Sequence, residues 1–184
     1  MEMLIRILTA FIPSKAIRQR VRLALRNAVY SHPVIKKAAR VGKALRVGDR
    51  TSVNRKTIIG DYVSMYDMSI YGDGDVIIGN HVIFGPHITI QTQNHRYKGN
   101  LLPYDHGFDC KKVQIDDCVW IGMNVQILPG THIGEGAIIQ MGSVVHGEIP
   151  PCAIAGGNPA KVFAWRDKEK YQTLKVRGEF LRDK

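Results

Sequence analysis

The strongest constraint on the fold is a large apolar residue that returns every six positions along most of the chain. The phase of the series shifts by one residue after Tyr71, and the series breaks once after Ile90. Its members are Val41, Val47, Val53, Ile59, Met65, Tyr71, Ile78, Phe84, Ile90, Ile115, Ile121, Ile127, Ile133, Ile139 and Val145. A period of six fits neither a helix of 3.6 residues per turn nor a simple alternating strand.

A six-residue period is typical of a solenoid in which each short strand is followed by a corner. The apolar residue is expected to point inward, and a glycine often follows it, as at Gly60 and Gly122. Three hexads make one triangular coil, and successive coils stack as parallel strands about 4.8 Å apart. We therefore predict a mainly β protein whose repeat domain spans residues 41–162, with structures at both ends that cap the stack.

The formal net charge of +10 is concentrated at one end of the chain. Residues 1–40 hold nine Lys or Arg and a single carboxylate, a net of +8. Apolar residues recur there at roughly helical spacing, which predicts a basic amphipathic helical segment over 1–40. Such a segment either caps the first coil or touches an anionic membrane surface through residues 1–28. No reading motif accompanies the charge, so nucleic acid is not an expected partner.

The remaining composition favours a cytoplasmic protein. No apolar run reaches the roughly 18 residues that span a bilayer, and the opening apolar stretch does not resemble a signal peptide. Cys110, Cys118 and Cys152 are odd in number and lack metal or redox spacing, which fits a reducing compartment. The charged residues 163–184 are expected to form a short C-terminal helical tail.

The later hexads carry motifs of a known family. The most specific segments lie at 115–122 (IDDCVWIG), 127–130 (ILPG), 142–145 (GSVV), 149–151 (IPP) and 157–161 (GNPAK). In this order they resemble the hexapeptide-repeat acyltransferases, and especially the sugar and xenobiotic acetyltransferases and the O-acetyltransferases of bacterial surface polysaccharides. The resemblance covers residues 41–162. It implies a left-handed parallel β-helix of about five coils that forms a homotrimer with active sites between subunits.

The resemblance also implies an activity, namely transfer of an acetyl group from acetyl-CoA to a sugar hydroxyl in surface polysaccharide biosynthesis. Direct transfer needs a base, donors for the oxyanion and a groove for the donor molecule. An N-acetyltransferase of an amino sugar, a xenobiotic acetyltransferase and a non-enzymatic assembly subunit remain alternatives. A γ-class carbonic anhydrase is disfavoured, because His81 and His87 are six residues apart and fall on different faces. No metal is expected.

His95 is the candidate general base. It stands where the repeat is interrupted, and segment 96–114 is predicted to leave the coil as a loop. A residue at the root of such a loop can face a cleft. The catalytic histidine of the family occupies this place. An unperturbed imidazole has a pKa of about 6.5 and can accept a proton near neutral pH. The structural alternative is a loop-root histidine bonded to backbone.

Two further residues match acceptor-side positions of the family. Asp67 occupies the position of an Asn or Asp that binds hydroxyl groups of the acceptor, and a carboxylate accepts hydrogen bonds from vicinal hydroxyls well. An exposed turn residue is the alternative for Asp67. Trp120 matches a tryptophan that lines the reaction site.

Four residues match positions along the acetyl-CoA groove. The backbone N–H of Met123 corresponds to the donor that holds the thioester carbonyl oxygen. Met141 and Gly142 lie where the pantetheine arm passes, and Lys161 corresponds to a basic residue near the CoA phosphates.

Overall fold

The computed structural model of the protein describes residues 1–181 and contains a triangular column of stacked coils. Each coil places one short strand in each of three parallel sheets, which form the three faces of the column. Two helices precede the column and one follows it: α1 (Glu2–Leu8), α2 (Lys15–Lys37) and α3 (Lys168–Val176).

The strands are numbered in chain order. Sheet 1 consists of β1 (Arg40–Val41), β4 (Thr57–Ile59), β7 (Val76–Ile78), β12 (Val113–Ile115), β15 (His132–Ile133) and β18 (Glu148–Ile149). Sheet 2 consists of β2 (Arg46–Val47), β5 (Ser64–Met65), β8 (Ile83–Phe84), β13 (Trp120–Ile121), β16 (Ile138–Ile139), β19 (Ala153–Gly157) and β20 (Ala160–Trp165). Sheet 3 consists of β3 (Thr51–Ser52), β6 (Met68–Tyr71), β9 (Ile88–Gln91), β14 (Gln126–Ile127) and β17 (Val144–Val145). A separate hairpin pairs β10 (Gln93–His95) with β11 (Phe108–Cys110).

The six-residue period corresponds to the inward side chains of these strands. In sheet 1, Ile59, Ile78, Ile115 and Ile133 lie in register in consecutive coils, and each is at most 1% exposed. The residue four places after each apolar position is also buried in most coils, for example Val125. Two inward residues per hexad therefore fill the core. Sheet 1 is six strands deep, so the column has about six coils, slightly more than the five expected.

Tyr71 is the exception in the apolar series. Its side chain is 57% exposed, whereas Met68 and Ile70 of the same strand are buried. Strand β6 is four residues long, and alternation along it turns the side chain of Tyr71 outward. The inward position of this hexad belongs to Ile70.

The recurring glycines allow the coils to approach one another closely. A Cβ added to Gly60 would lie 2.6 Å from the backbone of Gly79 in the next coil, and one added to Gly122 would lie 2.6 Å from the amide nitrogen of Met141. These glycines are therefore required by contact between coils.

A different set of residues makes the bends. Corner 1–2, between sheets 1 and 2, holds a column of residues with positive φ: Ala44, Tyr62, His81, Cys118, Gly136 and Cys152. Corner 2–3, between sheets 2 and 3, holds another: Asp67, His87, Asn124 and Gly142. Most of them carry side chains, and their left-handed conformation is imposed by the stacked coils, since few residues other than glycine adopt it freely.

Helix α2 caps the first coil. The amide of Asn27 donates to the Leu45 carbonyl (3.4 Å), and its side-chain oxygen accepts from the N–H of Val47 (2.7 Å). Arg26 donates to the carbonyl of Gly48 (2.8 Å), and Val34 packs fully buried against the core. Helix α2 thus satisfies backbone groups of the first coil that have no coil below them.

The other end of the column differs from the predicted helical tail. Strand β20 turns back through the Asn158–Pro159 bend and pairs antiparallel with β19, so residues 163–165 belong to a strand. Helix α3 begins at Lys168, after the cap of Asp167, whose side chain accepts from the N–H of Lys170 (2.9 Å). Pairing with β20 covers the open edge of sheet 2. The last part of the predicted tail, residues 182–184, lies outside the described residues.

The chain leaves the column after Ile90 and forms a β-hairpin where the sequence predicted a loop over residues 96–114; the column resumes at Val113, inside those bounds. Strand β10 leaves sheet 3 and pairs with β11, with His95 opposite Phe108. The column resumes at β12, which pairs in register with β7 of the preceding coil.

Replacing an inward isoleucine should destabilise the column far more than replacing its outward neighbour. We expect Ile127→Ala to lower the free energy of unfolding by about 2–5 kcal/mol, because Ile127 is completely buried. The exposed Gln126 lies next to it in β14, and Gln126→Ala should change stability by about 0.5 kcal/mol or less. Urea denaturation of both variants measures the difference, and equal effects would contradict the inward period.

Candidate active site

Corner 2–3 brings several of the predicted site residues together. Asp67, His87, Asn124 and Gly142 stack one above another, since their flanking strands are in register. Met123 precedes Asn124, and its carbonyl accepts from the N–H of Gly142 (2.9 Å). The corner therefore carries predicted acceptor-side and cofactor-side residues in a single column.

Some backbone N–H groups of corner 1–2 have side-chain acceptors, whereas those of corner 2–3 do not. At corner 1–2 a ladder of polar side chains accepts the N–H groups of the coil below. The Asp61 side chain accepts from the N–H of Lys43 (2.9 Å), Asn80 accepts from Asp61 (2.8 Å), and Asp117 accepts from Asn80 (2.7 Å). The amides of Lys43, Asp61 and Asn80 are therefore engaged within the chain, whereas among residues 1–181 no group accepts from the N–H of Asp117 or Glu135 in the later coils.

At corner 2–3 the equivalent positions lack such acceptors. The residues that occupy them are Pro86, Met123 and Met141, whose side chains cannot replace Asp or Asn as acceptors. Within residues 1–181, no group accepts a hydrogen bond from the N–H of Met123 or Met141. Met123 and Met141 are both exposed residues, so the corner that carries these two amides lies at the surface of the column.

Asp67 is not an isolated turn residue. Its carboxylate forms an ion pair with Nδ1 of His87, one coil above. Both side chains remain exposed, so Nε2 of His87 can reach a ligand at the corner. An imidazole that is oriented by a carboxylate through one nitrogen can exchange protons or hydrogen bonds through the other.

His95 lies on the hairpin and is oriented by aromatic rings. Its imidazole stacks on Tyr104 with centroids 3.8 Å apart and contacts Phe108 at 4.7 Å. Among residues 1–181, no carboxylate and no backbone carbonyl binds the His95 side chain. This environment differs from the backbone-bonded histidine that was the alternative interpretation. His95 is exposed, so its ring nitrogens can reach a ligand.

One chain alone does not bring His95 to corner 2–3. The corner lies at the start of the sheet 3 strands, whereas His95 follows their end. The four residues of β9 alone extend about 13 Å at 3.3 Å per residue. The imidazole and the uncapped amides therefore belong to opposite edges of the same face.

Trp120 faces outward from sheet 2, two residues after the corner 1–2 residue Cys118, so the structure does not bring it to corner 2–3. It lines a half-open, mainly apolar cavity of about 550 Å³ between sheet 2 and the C-terminal segment. The opposite wall comes from α3 and the residues after it, including Phe180, which stacks on His81 at 4.1 Å. His81 and His87 thus lie at different corners, as their spacing predicted.

A polar cluster holds α3 against corner 1–2 beside this cavity. Glu135 accepts from the hydroxyl of Tyr171 (2.8 Å) and from the ammonium of Lys175 (2.6 Å). Burial and the Glu135 carboxylate raise the pKa of Tyr171, and the hydrogen bond to Glu135 raises the pKa of Lys175. Burial also raises the pKa of the Cys118 thiol. Cys118 is therefore a poor nucleophile, and the cluster has a structural role.

Lys161 lies apart from the corner. It is an exposed residue of β20 and pairs with Gly156 in β19. Its ammonium can meet an anionic group that extends beyond the end of the column. Within residues 1–181, no three histidine, cysteine or acidic side chains converge on a point where a metal ion could bind.

Sequence reasoning missed His87, Tyr104 and Phe108. His87 was treated as an exposed histidine on a flank, because the sequence does not show that it stacks above Asp67. The six-residue period does contain that signal, since residues at the same corner of consecutive coils must be neighbours. Tyr104 and Phe108 lie in the excursion, where no period predicts contacts.

Comparisons with known proteins agree with this architecture. Residues 112–147 match the family described as bacterial transferase hexapeptide (six repeats). The chain is 38% identical over 97 residues to a galactoside O-acetyltransferase of Lactococcus lactis. The alignment covers 53% of this chain and 46% of that protein. It is 31% identical over 112 residues to an Escherichia coli protein provisionally named lipopolysaccharide biosynthesis O-acetyl transferase WbbJ, covering 56% and 55%. The chain thus spans about half the length of the curated relatives it matches.

Solved structures share the fold. The hexapeptide-repeat acetyltransferase VCA0836 of Vibrio cholerae, solved with acetyl coenzyme A, superimposes with a TM-score of 0.64 at 23% identity. The match covers 89% of this chain and 84% of that one. The protein is therefore a left-handed parallel β-helix, as the motifs implied. Residues 112–147 thus match the hexapeptide-repeat family, and the chain is similar over about half its length to acetyltransferases.

The uncapped amides can be tested by hydrogen exchange. We expect the amides of Met123 and Met141 to exchange faster than those of Asp61 and Asn80, which have side-chain acceptors. Met141→Asn should slow exchange at Met123 by supplying the missing acceptor. The reverse variant, Asn80→Leu, should speed exchange at Asp61. Protection of the Met123 amide in the unmodified protein would contradict the assignment.

Proposed function

We propose that the protein transfers an acetyl group from acetyl-CoA directly to a hydroxyl group of a saccharide, with His95 as general base. The observation that carries this proposal is that, among residues 1–181, the amides of the two exposed residues Met123 and Met141 have no acceptor. A thioester carbonyl needs such donors when negative charge develops on its oxygen. The names of the relatives, galactoside and lipopolysaccharide O-acetyltransferases, support a saccharide as the acceptor.

The proposed reaction proceeds in one displacement. The imidazole of His95 takes the proton of the acceptor hydroxyl as its oxygen attacks the thioester carbon. The N–H of Met123 binds the oxyanion of the tetrahedral intermediate. The intermediate then expels the CoA thiolate, which receives the proton from the imidazolium, so no group on the protein is acylated.

Groups along corner 2–3 and sheet 2 fit acetyl-CoA. Met141 offers a second free amide, and Gly142 has no side chain that would keep a ligand away from the coil edge. Lys161 supplies a cation for the phosphates beyond the end of the column. Trp120 walls the reaction site from sheet 2.

The separation of His95 and Met123 within one chain supports a site shared between copies, as in the proposed homotrimer. His95 and Met123 lie on opposite edges of sheet 3. The β10–β11 hairpin of one copy must therefore meet corner 2–3 of another copy to complete the site. We therefore propose that each site lies between two subunits. We also propose that the protein is located in the cytoplasm.

Asp67 and His87 are proposed to bind the acceptor as a unit. The carboxylate holds Nδ1, and Nε2 of His87 contacts a second hydroxyl of the saccharide. Asp67 thus acts partly through His87, a modification of its predicted role as a direct ligand.

The base assignment predicts a selective loss of turnover. In an acetyl-CoA consumption assay with a panel of sugars and amino sugars, we expect His95→Ala to lower kcat by about 10²–10⁴-fold. The affinity for acetyl-CoA and the oligomeric state should not change. His32→Ala, at an exposed residue of α2, serves as the matched control. Retained turnover would reassign the base, amino-sugar acceptors alone would favour N-acetylation, and an unreactive panel would favour the assembly subunit.

The Asp67–His87 pair predicts a different kinetic signature. We expect His87→Ala to raise KM for the acceptor by about tenfold and to lower kcat less, because it removes a binding contact and not the base. Asp67→Asn should produce a smaller effect of the same kind. A loss of kcat as large as that of His95→Ala would instead make His87 the proton acceptor.

A further inference from the structure

Helices α1 and α2 form a helical hairpin that is held together by arginines. Arg26 lies 3.0 Å from the carboxylate of Glu2, an ion pair without hydrogen-bond alignment. Arg22 donates to the hydroxyl of Thr9 (2.6 Å), and Arg18 donates to a carbonyl of the turn (2.9 Å). These three cations stand at i, i+4 and i+8 on one face of α2, so they fix α1 and the turn in place.

The hairpin presents an apolar surface that no described part of the chain covers. Ile5 is the only buried residue of α1, and it faces α2 together with Thr9. The other side of α1 and the turn form what we call the apolar tip, which consists of Met3, Leu4, Ile7, Leu8 and Phe11. Phe11 is 91% exposed, which is exceptional for an aromatic side chain in a fixed turn.

The apolar tip has no role in capping the column. The contacts that cap the first coil come from Arg26, Asn27 and Val34 in the second half of α2. The sequence left open whether the segment caps the coil or binds a membrane. The structure assigns the cap to α2 and leaves the tip available for a partner.

Charge identifies the partner. Arg6 and Lys15 are exposed at the tip, within a segment whose net charge is +8. Docking of the same surface on a second copy would bring two such segments together, and like charges oppose that contact. An anionic surface with an apolar interior matches both the cations and the apolar side chains. Among residues 1–181, no helix is long and apolar enough to cross a bilayer.

We propose that the helical hairpin docks the protein on an anionic lipid membrane, with the apolar tip inserted among the lipids and the surrounding cations at the headgroups. The hairpin lies on the membrane and does not span it. The rest of α2 holds the column against this anchor through the first coil. This inference is independent of the proposed acetyl transfer.

Co-sedimentation with lipid vesicles tests the proposal on the full chain. We expect binding to vesicles of phosphatidylcholine with about 30% phosphatidylglycerol, at least tenfold weaker binding to pure phosphatidylcholine, and weaker binding in high salt. The apolar variant Leu4→Ser/Leu8→Ser/Phe11→Ser should lower binding at least tenfold, and so should the cation variant Arg6→Gln/Lys15→Gln. Both variants spare the arginines that hold the hairpin.

A matched control removes equally exposed apolar residues elsewhere: Ile35→Ser/Phe163→Ser/Val176→Ser. This control should bind anionic vesicles like the unmodified protein. Circular dichroism and light scattering on every variant establish that fold and oligomeric state are retained.

Three outcomes would overturn the proposal. The first is absence of binding to anionic vesicles, and the second is undiminished binding of the apolar variant. The third is a change of oligomeric state in the apolar variant, which would show that another copy covers the tip. Binding of a short duplex DNA that is lost in the cation variant but kept in the apolar variant, with displacement of the protein from vesicles by that DNA, would also count against it, since the charge would then serve nucleic acid.

Discussion

Each coil must present the same backbone shape to the coils on either side, because the hydrogen bonds that join them run along the column. The N–H of Gly60 donates to the carbonyl of Ile78, and the N–H of Gly122 donates to that of Ile139, both at 2.8 Å. This condition fixes which side chains point inward and excludes a Cβ at the glycines. It also forces left-handed backbone at the corners. Outward side chains of consecutive coils are thereby aligned one above another. Residues that occupy the same corner in different coils can therefore act together at one site.

The two corners that flank sheet 2 differ in whether side chains accept hydrogen bonds from their backbone N–H groups. At corner 1–2, Asp61, Asn80 and Asp117 accept from the amides of Lys43, Asp61 and Asn80, and the later coils are covered by α3, which packs on the corner through Glu135. At corner 2–3, methionines replace these acceptors, and the amides remain available. The exchange of an acceptor side chain for a methionine costs the coil a hydrogen bond, which is a common feature of sites that bind a ligand through backbone groups.

The two ends of the column solve the problem of unpaired edges in different ways. Helix α2 uses the amide of Asn27 to satisfy both a donor and an acceptor of the first coil. Strand β20 folds back on β19 and ends the growth of sheet 2. The contacts that cap the first coil all come from α2. Helix α1 and the turn after it are therefore not needed for capping, and their exposed apolar residues can bind a partner.

The sequence by itself determined the fold, since a six-residue period fixes the inward side chains and hence the stacked coils. It also located an interruption after Ile90, and its resemblance to a known family proposed Asp67, Trp120, Met123, Met141, Gly142 and Lys161 as site residues. Only the tertiary structure decided which of these are neighbours. The pairing of Asp67 with His87 and the aromatic contacts of His95 depend on how coils and hairpin stack in space. So does the uncapped amide of Met123, because a backbone N–H leaves no trace in the identity of its own residue.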